Sequence, residues 1–208
     1  MRADRPGPGE DLNPGAPTEP RPAATVILLR AGADPLEVLL VQRDPEARFM
    51  GGAWVFPGGS VDPREGEGDG GLRAAAVREV AEEAGIELAS ADALVPFSRW
   101  ITPAQVKIRF DTWFYLATAP RDVEPVVDGQ EIVQWRWYEP RAALAAARAG
   151  EIFLVFPTIK HLEQLSAFTS SDALLEHARG RQVLPVEPRV LTTGETARIV
   201  LPGEPGYE

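Results

Sequence analysis

Arg78-Glu79-Val80-Ala81-Glu82-Glu83-Ala84-Gly85-Ile86 decides how this chain is read. Three carboxylates fall within five positions, and a glycine closes the run. From about Leu72 the preceding residues are rich in Ala, Arg and Val without Gly or Pro, which favours helix, and Gly85 stands where a helix C-terminus wants a left-handed residue. On an ideal helix Glu79, Glu82 and Glu83 lie within about 100° of one another. Val77, Val80, Ala81 and Ala84 occupy much of the opposite side, so the pattern predicts a buried apolar face with the carboxylates looking outward. Like charges at these spacings destabilise a helix by roughly 0.2–0.5 kcal/mol per pair. A hard cation reverses that sign, and Mg²⁺ or Mn²⁺ suits oxygen donors. In isolation the cluster reads rather as a solvated acidic face with Arg78 as its ion-pair partner.

The flanking residues change that balance. Upstream, Thr25-Val26-Ile27-Leu28-Leu29 and Leu36 to Arg43 predict two strands joined as a hairpin through Ala31-Gly32-Ala33-Asp34-Pro35. A loop to Gly52, the short strand Ala53-Trp54-Val55-Phe56 and the break Pro57-Gly58-Gly59 follow. Glycines at 58 and 59 permit positive φ and close backbone approach to a ligand. Gly66 to Gly71 reads as a flexible acidic loop ahead of the helix. Downstream, strands are predicted at Leu94–Ile101, Val106–Ala117 and Glu131–Tyr138, and helices at Pro140–Gly150, Pro157–Phe168 and Ser171–Arg179. Strand-like pieces recur at Arg189–Leu191 and Ala197–Val200. Residues 1–22 bury too little to offset their ordering entropy and read as a disordered N-terminal arm. The expected organisation is this arm, a core over 23–140, and C-terminal helices and tail over 141–208 packed on the core. The mixed order of elements predicts an α+β fold with an α/β/α sandwich layout.

Composition removes several function classes. The 208 residues carry a net charge of −10 and no cysteine. That excludes disulfides, thiolate metal sites and cysteine nucleophiles, and it argues against a nucleic-acid polymer as partner. His161 and His177 are the only histidines, and both read as surface or packing residues. No apolar run is long enough for a membrane span, and neither end carries a leader or address signal, so a soluble cytoplasmic protein is expected. A homodimer is compatible with the sequence.

The pattern Gly59-x5-Glu65 … Arg78-Glu79-Val80-x-Glu82-Glu83-x-Gly85-Ile86 resembles the Nudix box. Its second half matches at every specified position. Twelve residues separate Glu65 from Arg78 where the family has seven, and the glycine-rich run 66–71 is where the excess can be absorbed. The resemblance implies the Nudix sandwich with a mixed sheet and a C-terminal helical extension. It also implies cleavage of a diphosphate bond in a small-molecule substrate, with Mg²⁺ or Mn²⁺ as cofactor. It makes Glu79, Glu82 and Glu83 metal ligands, Arg78 a structural or activating partner of Glu65 or itself a metal ligand, and Gly59, Glu65 and Gly85 structural members of the box. Glu131, just after Gly129 at a strand start, is the candidate for a distal base or extra ligand, against a solvated strand-end acid.

Upstream of the box, Leu39-Leu40-Val41-Gln42-Arg43-Asp44-x3-Arg48-x3-Gly52-x3-Phe56-Pro57-Gly58-Gly59 is similar to the coenzyme A signature of the CoA-diphosphatase branch of that family, departing from it at Val41 and Asp44. Trp100-Ile101-Thr102-Pro103, Arg109-Phe110-Asp111-Thr112 and Leu201-Pro202-Gly203 are similar to the acyl-CoA diphosphatase type. Coenzyme A or an acyl-CoA is therefore the favoured substrate, with ADP-ribose, NADH, nucleotide sugars and dNTPs as rivals. A non-catalytic ligand sensor on the same fold is the alternative of another class. Arg43, Arg48, Gly58, Gly59, Arg99 and Arg109 are the candidate substrate-binding residues, with Lys107 as additional charge; each cation alone reads as a surface ion pair. Trp54 and Phe56 read as core.

Overall fold

The computed structural model describes residues 12–13, 15–48, 50–193 and 196–207. Its centre is a nine-stranded mixed sheet. Strand β1 (Arg21–Leu29) runs parallel to β6 (Phe110–Thr118) along its whole length, from Arg21 against Phe110 to Leu29 against Thr118. β5 (Val95–Ile101) pairs antiparallel with β6, with a register shift between Pro96 and Ser98. On the other side, β2 (Val38–Arg43) pairs antiparallel with β7 (Ile132–Tyr138) and with β3 (Ala53–Val55). The expected hairpin of β1 and β2 is pinned only at its turn, Leu29 opposite Val38, with Arg30 N–H donating to Glu37 O at 3.0 Å. Beyond that point the two strands part, and β4 (Gly58–Ser60) takes the free edge of β1, with Val26 N–H donating to Pro57 O at 2.8 Å.

Both faces of the sheet are covered, which is the expected sandwich. Val26 and Leu28 of β1 and Leu39 and Val41 of β2 point to one side, against helix α1 (Gly68–Ala84). Ile27, Leu29, Val38 and Leu40 alternate to the other side. There they meet α2 (Pro140–Ala149), α3 (Phe156–Leu165) and α4 (Ser171–Arg179) through residues such as Leu144, Leu162, Leu165 and Leu174. Fully buried leucines such as Leu162 and Leu165 each contribute roughly 1.5–3 kcal/mol. The C-terminal segment also extends the sheet, because β8 (Phe153–Leu154) runs parallel to β3 and β9 (Pro185–Val186) parallel to β5. A separate hairpin, β10 (Arg189–Thr193) with β11 (Thr196–Val200), follows. Among the described residues no helix is long and apolar enough to cross a membrane.

Three expectations shift. Residues 1–11 and 14 of the predicted disordered arm lie outside the described residues, but the described stretches 12–13 and 15–22 are tied down. Leu12 bridges to Val106, Asn13 N–H donates to Gln105 O at 2.7 Å, and Thr18 Oγ1 donates to Lys107 O at 3.0 Å. Backbone bonding orders a stretch whose composition offers little to bury. The strand predicted from Val106 begins instead at Phe110, because Thr102 closes a turn onto it: Thr102 Oγ1 accepts Phe110 N–H at 3.0 Å and Thr102 N–H donates to Phe110 O at 2.9 Å. On α1 the buried side is Ala75, Ala76, Val80 and Ala84, while Val77 and Ala81 are half-buried. That rotation carries Glu83 inward, so the three carboxylates do not all face solvent.

Of the two histidines, His177 is exposed and His161 is fully buried in a ring of Phe56, Phe97, Trp100 and Phe114. Pro157 O lies 2.7 Å from Nδ1 and can only accept, so Nδ1 carries the proton and Nε2 accepts from Ser98 Oγ at 2.5 Å. Burial pushes its pKa down to about 4. A depressed pKa on a base gives stability that is present above the unfolded value near 6.5 and lost as pH falls towards 4. Urea unfolding of the wild type should therefore lose up to about 3 kcal/mol from this group between neutral and acid pH. His161→Leu should lack that component of the acid slope. An unchanged slope in the variant contradicts the neutral, buried assignment.

Candidate active site

The site is built where β1 and β2 part. Pro57 ends β3's approach, and Gly58–Ser60 runs antiparallel to the start of β1, passing over α1. The two glycines are needed for space rather than for the positive φ expected of them, since neither is among the residues with φ above zero. A Cβ on Gly58 would lie 2.5 Å from Thr25 Oγ1 and 2.6 Å from Ala24 O. One on Gly59 would fall on the Glu79 carboxylate, 2.6 Å from its Cδ. Close contact of this loop with α1 therefore needs glycine. Gly85, by contrast, does adopt the left-handed conformation (φ 64°) and caps α1 through its N–H to Ala81 O.

The stretched spacing before Arg78 is accommodated in a way the sequence pattern did not show. Asp62 caps a tight helical turn at Pro63–Glu65, and Glu65 Oε2 accepts Asp62 N–H at 2.6 Å. Helix α1 then begins at Gly68, four residues before the predicted start, so most of the glycine-rich run is helix rather than loop. Gly71 is buried, and a Cβ there would press on the Gly66 backbone, 2.9 Å from its carbonyl carbon. The added turn thus folds back onto Glu65 instead of displacing it. Arg78 Nε donates to Glu65 Oε1 at 2.8 Å and Nη2 to Oε2 at 3.3 Å.

Arg78 binds the rest of the cluster as well. Its Nη1 donates to Glu79 Oε1 at 2.7 Å and Glu82 Oε2 at 2.9 Å, and Nη2 donates to Ser60 O at 2.9 Å. The Glu65 carboxylate foremost holds its pKa above the ordinary arginine value. The three helix glutamates sit in different surroundings. Glu83 is 5% exposed and accepts Gly58 N–H at 2.9 Å. Burial, helped by the nearby charges of Glu79 and Glu131, pushes its pKa up to about 8, against the opposing pull of Gly58 N–H and Arg43. Glu79 is raised too, again chiefly by burial and against Arg78. Glu82 is exposed and leans on Arg78.

Among the described residues, no three acidic or histidine side chains converge closely enough to encircle an ion as they stand. The donor set nevertheless fits a hard divalent cation. It offers carboxylate oxygens only, two of them desolvated and mutually repelling, with a third on an exposed, movable side chain. Opposite them, Arg43 Nη2 donates to Glu131 Oε1 at 3.1 Å, and Nη1 lies 3.8 Å from Glu83 Oε1. Its Nε is buried without a hydrogen-bond partner among the described residues. Glu131 immediately precedes β7 rather than starting it, and its side chain is 62% exposed. Asp128 fixes that turn: Oδ1 accepts the N–H groups of Gln130, Glu131 and Ile132 at 3.0–3.1 Å. Asp128 escaped the sequence reading, although an acid two to four residues ahead of a strand start is the signal for such a turn.

Glu79, Glu82, Glu83, Arg78, Glu131, Arg43, Gly58 and Gly59 all line one cleft of about 1720 Å³. The other proposed cations do not. Arg48 is exposed and outside it. Arg99 makes a two-pronged pair with Asp111 (2.8 and 2.6 Å) and stacks on Trp113, away from the cleft. Arg109 is buried and spends its donors on Thr102 O, Thr18 O and Glu187. Spacing alone could not reveal that Arg99 pairs across β5 and β6, nor that Arg109 holds the loop and the N-terminal segment together. Lys107 is exposed, and its carbonyl accepts from Thr18 Oγ1. Arg64 and Arg148 line the cleft instead, and nothing in their local sequence singled them out.

The sequence model of the NUDIX domain matches residues 19–156. A Caenorhabditis elegans protein named "Putative nudix hydrolase 7" is 30% identical over 211 residues, covering 84% of this chain and 70% of that protein. The acyl-coenzyme A diphosphatase NUDT19 of Homo sapiens is 32% identical over 121 residues, 55% of this chain but only 32% of that enzyme's length. The crystal structure of a NUDIX hydrolase from Alicyclobacillus acidocaldarius superposes with a TM-score of 0.68 at 28% identity, covering 76% of this chain and 96% of that one.

Proposed function

Since this chain is a Nudix hydrolase by family, we propose that it cleaves the diphosphate of coenzyme A or an acyl-coenzyme A, releasing 3′,5′-ADP and 4′-phosphopantetheine or its acyl form. The observation that carries the reading is the meeting of α1's carboxylates, the Gly58–Gly59 backbone and Arg43 in one cleft. The cleft volume of about 1720 Å³ exceeds the ~300–1,000 Å³ usual for small ligands, which favours a long substrate over a dNTP. The partial likeness to an acyl-coenzyme A diphosphatase points the same way.

Glu79, Glu82 and Glu83 would hold Mg²⁺ or Mn²⁺. When bound, the cation neutralises diphosphate charge and acidifies a water. The protein's own groups do the rest. Gly58 N–H fixes the Glu83 carboxylate, and Arg78 with Glu65 fixes Glu79. The guanidinium of Arg43, which lines the cleft beside Glu83 and Glu131, would donate to a phosphate oxygen. Glu131, exposed at the cleft and oriented by the Asp128 turn, takes the proton of the attacking water. Glu131→Gln should then lower kcat by roughly 10²–10⁴-fold while Mn²⁺ binding is retained. Loss of Mn²⁺ binding with it would reassign Glu131 as a ligand.

The proposal is tested by incubating the protein with a panel of diphosphates and Mg²⁺ or Mn²⁺ and resolving the products by mass. Scission of coenzyme A or its esters is expected. Turnover of ADP-ribose, NADH, a nucleotide sugar or a dNTP without coenzyme A overturns the substrate. No turnover of any of them overturns the enzymatic reading in favour of a ligand sensor.

A further inference from the structure

The cleft has two kinds of lining. Carboxylates and arginines gather beside Gly58 and Gly59, whereas other stretches of wall are hydrocarbon: Leu12, Ile108, Phe153, Phe156, Val190 and Ile199. Half of the six large apolar side chains left exposed among the described residues, namely Leu12, Ile108 and Phe153, line this one cleft. Apolar side chains concentrated at one place on a soluble surface mark a binding site. Leu12, Val190 and Ile199 also lie outside the matched residues 19–156, so part of this wall comes from segments beyond the NUDIX domain. The Leu12–Val106 bridge and the Arg109 bonds to Thr18 and Glu187 bring the N-terminal segment, the 102–110 loop and the approach to β10 together there.

We propose that this wall is a subsite for a long hydrocarbon chain carried by the substrate, so that the enzyme prefers long-chain acyl diphosphates to short-chain or unacylated ones. That both linings belong to one cleft decides the occupant: one molecule that is anionic at the diphosphate and apolar at its tail meets both. ADP-ribose, NADH and nucleotide sugars leave the apolar wall unmatched. The inference rests on the coenzyme A reading above and extends it to residues.

Two measurements test it. The first compares kcat/KM for acetyl- and palmitoyl-coenzyme A with Mg²⁺, below micellar concentrations. The wild type should favour the palmitoyl ester by about tenfold or more. Leu12→Glu/Ile108→Glu should bring the ratio close to one; both side chains are 45% exposed, so the core is left intact. Equal values in the wild type, or an unchanged ratio in the variant, overturn the subsite. If no coenzyme A ester is cleaved, the substrate reading fails, and a second measurement decides the subsite alone. That measurement is binding of a fluorescent long-chain fatty acid to the metal-free protein. Binding should be weakened about tenfold or more in the same variant, because charge replaces apolar contact. No binding, or equal binding by both proteins, overturns the proposal.

Discussion

Glu83→Gln should lower kcat/KM by roughly 10²–10³-fold, the scale on which losing one preorganised electrostatic contact acts on a transferring group. The substitution keeps the side chain's shape, and the amide oxygen can still accept Gly58 N–H, the 2.9 Å bond that seats the carboxylate. What it removes is the capacity to ionise on cation binding, in a place almost without solvent beside Glu79 and across from Arg43, where burial raises the carboxyl's pKa to about 8. Gln carries no charge to bury and does not repel Glu79. The metal-free variant should therefore melt no lower than the wild type, while Mg²⁺ should raise its melting temperature less. Loss of activity together with a large fall in melting temperature would place Glu83 in the fold rather than in the chemistry. Retained activity would remove it from the site.

Arg78→Ala is expected to damage both fold and activity. One guanidinium contacts Glu65, Glu79, Glu82 and the Ser60 carbonyl. Removing it leaves three carboxylates without their counter-charge. The cluster is partly solvated, so the cost should be about 2–3 kcal/mol, below the value for a fully buried pair. Activity should fall by roughly 10²-fold, since Glu79 loses the partner that orients it. Arg78→Lys should recover little, because an ammonium cannot span Glu65 and Glu79 with the geometry of a planar fork. Glu65→Gln should show a smaller version of the same loss, measured by urea unfolding and by kcat/KM. A silent Glu65→Gln would mean that the added helical turn has uncoupled Glu65 from the box.

Those expectations mark how far residue patterns reach. The apolar runs Val26 to Leu29 and Val38 to Val41 located the central sheet, because each of these strands is packed on both faces. Gly85 marked the end of α1, because few other residues tolerate its backbone angles. The inward turn of Glu83 was not legible: it depends on which small residues of α1 meet the sheet, and Ala75, Ala76, Ala81 and Ala84 are alike in one dimension. The glycine-rich run misled for a related reason. Gly68 to Gly71 has low helix propensity, yet burial of Gly71 against Gly66 carries the helix into it. Arg99 and Arg109 are matched by Asp111 and Glu187, partners 12 and 78 residues away in sequence, and only the fold brings those pairs together. The walls contributed by Leu12, Val190 and Ile199 were invisible for the same reason.

The central claim is that the carboxylates of α1 bind a divalent cation for diphosphate cleavage. Its most direct test is Mn²⁺ titration of the metal-free protein followed by electron paramagnetic resonance, in the wild type and in Glu79→Gln, Glu82→Gln and Glu83→Gln. Saturable Mn²⁺ binding by the wild type, weakened about tenfold or more by each substitution, is the predicted result. Wild-type protein that leaves Mn²⁺ free in solution, or binding that survives all three substitutions, would contradict the account.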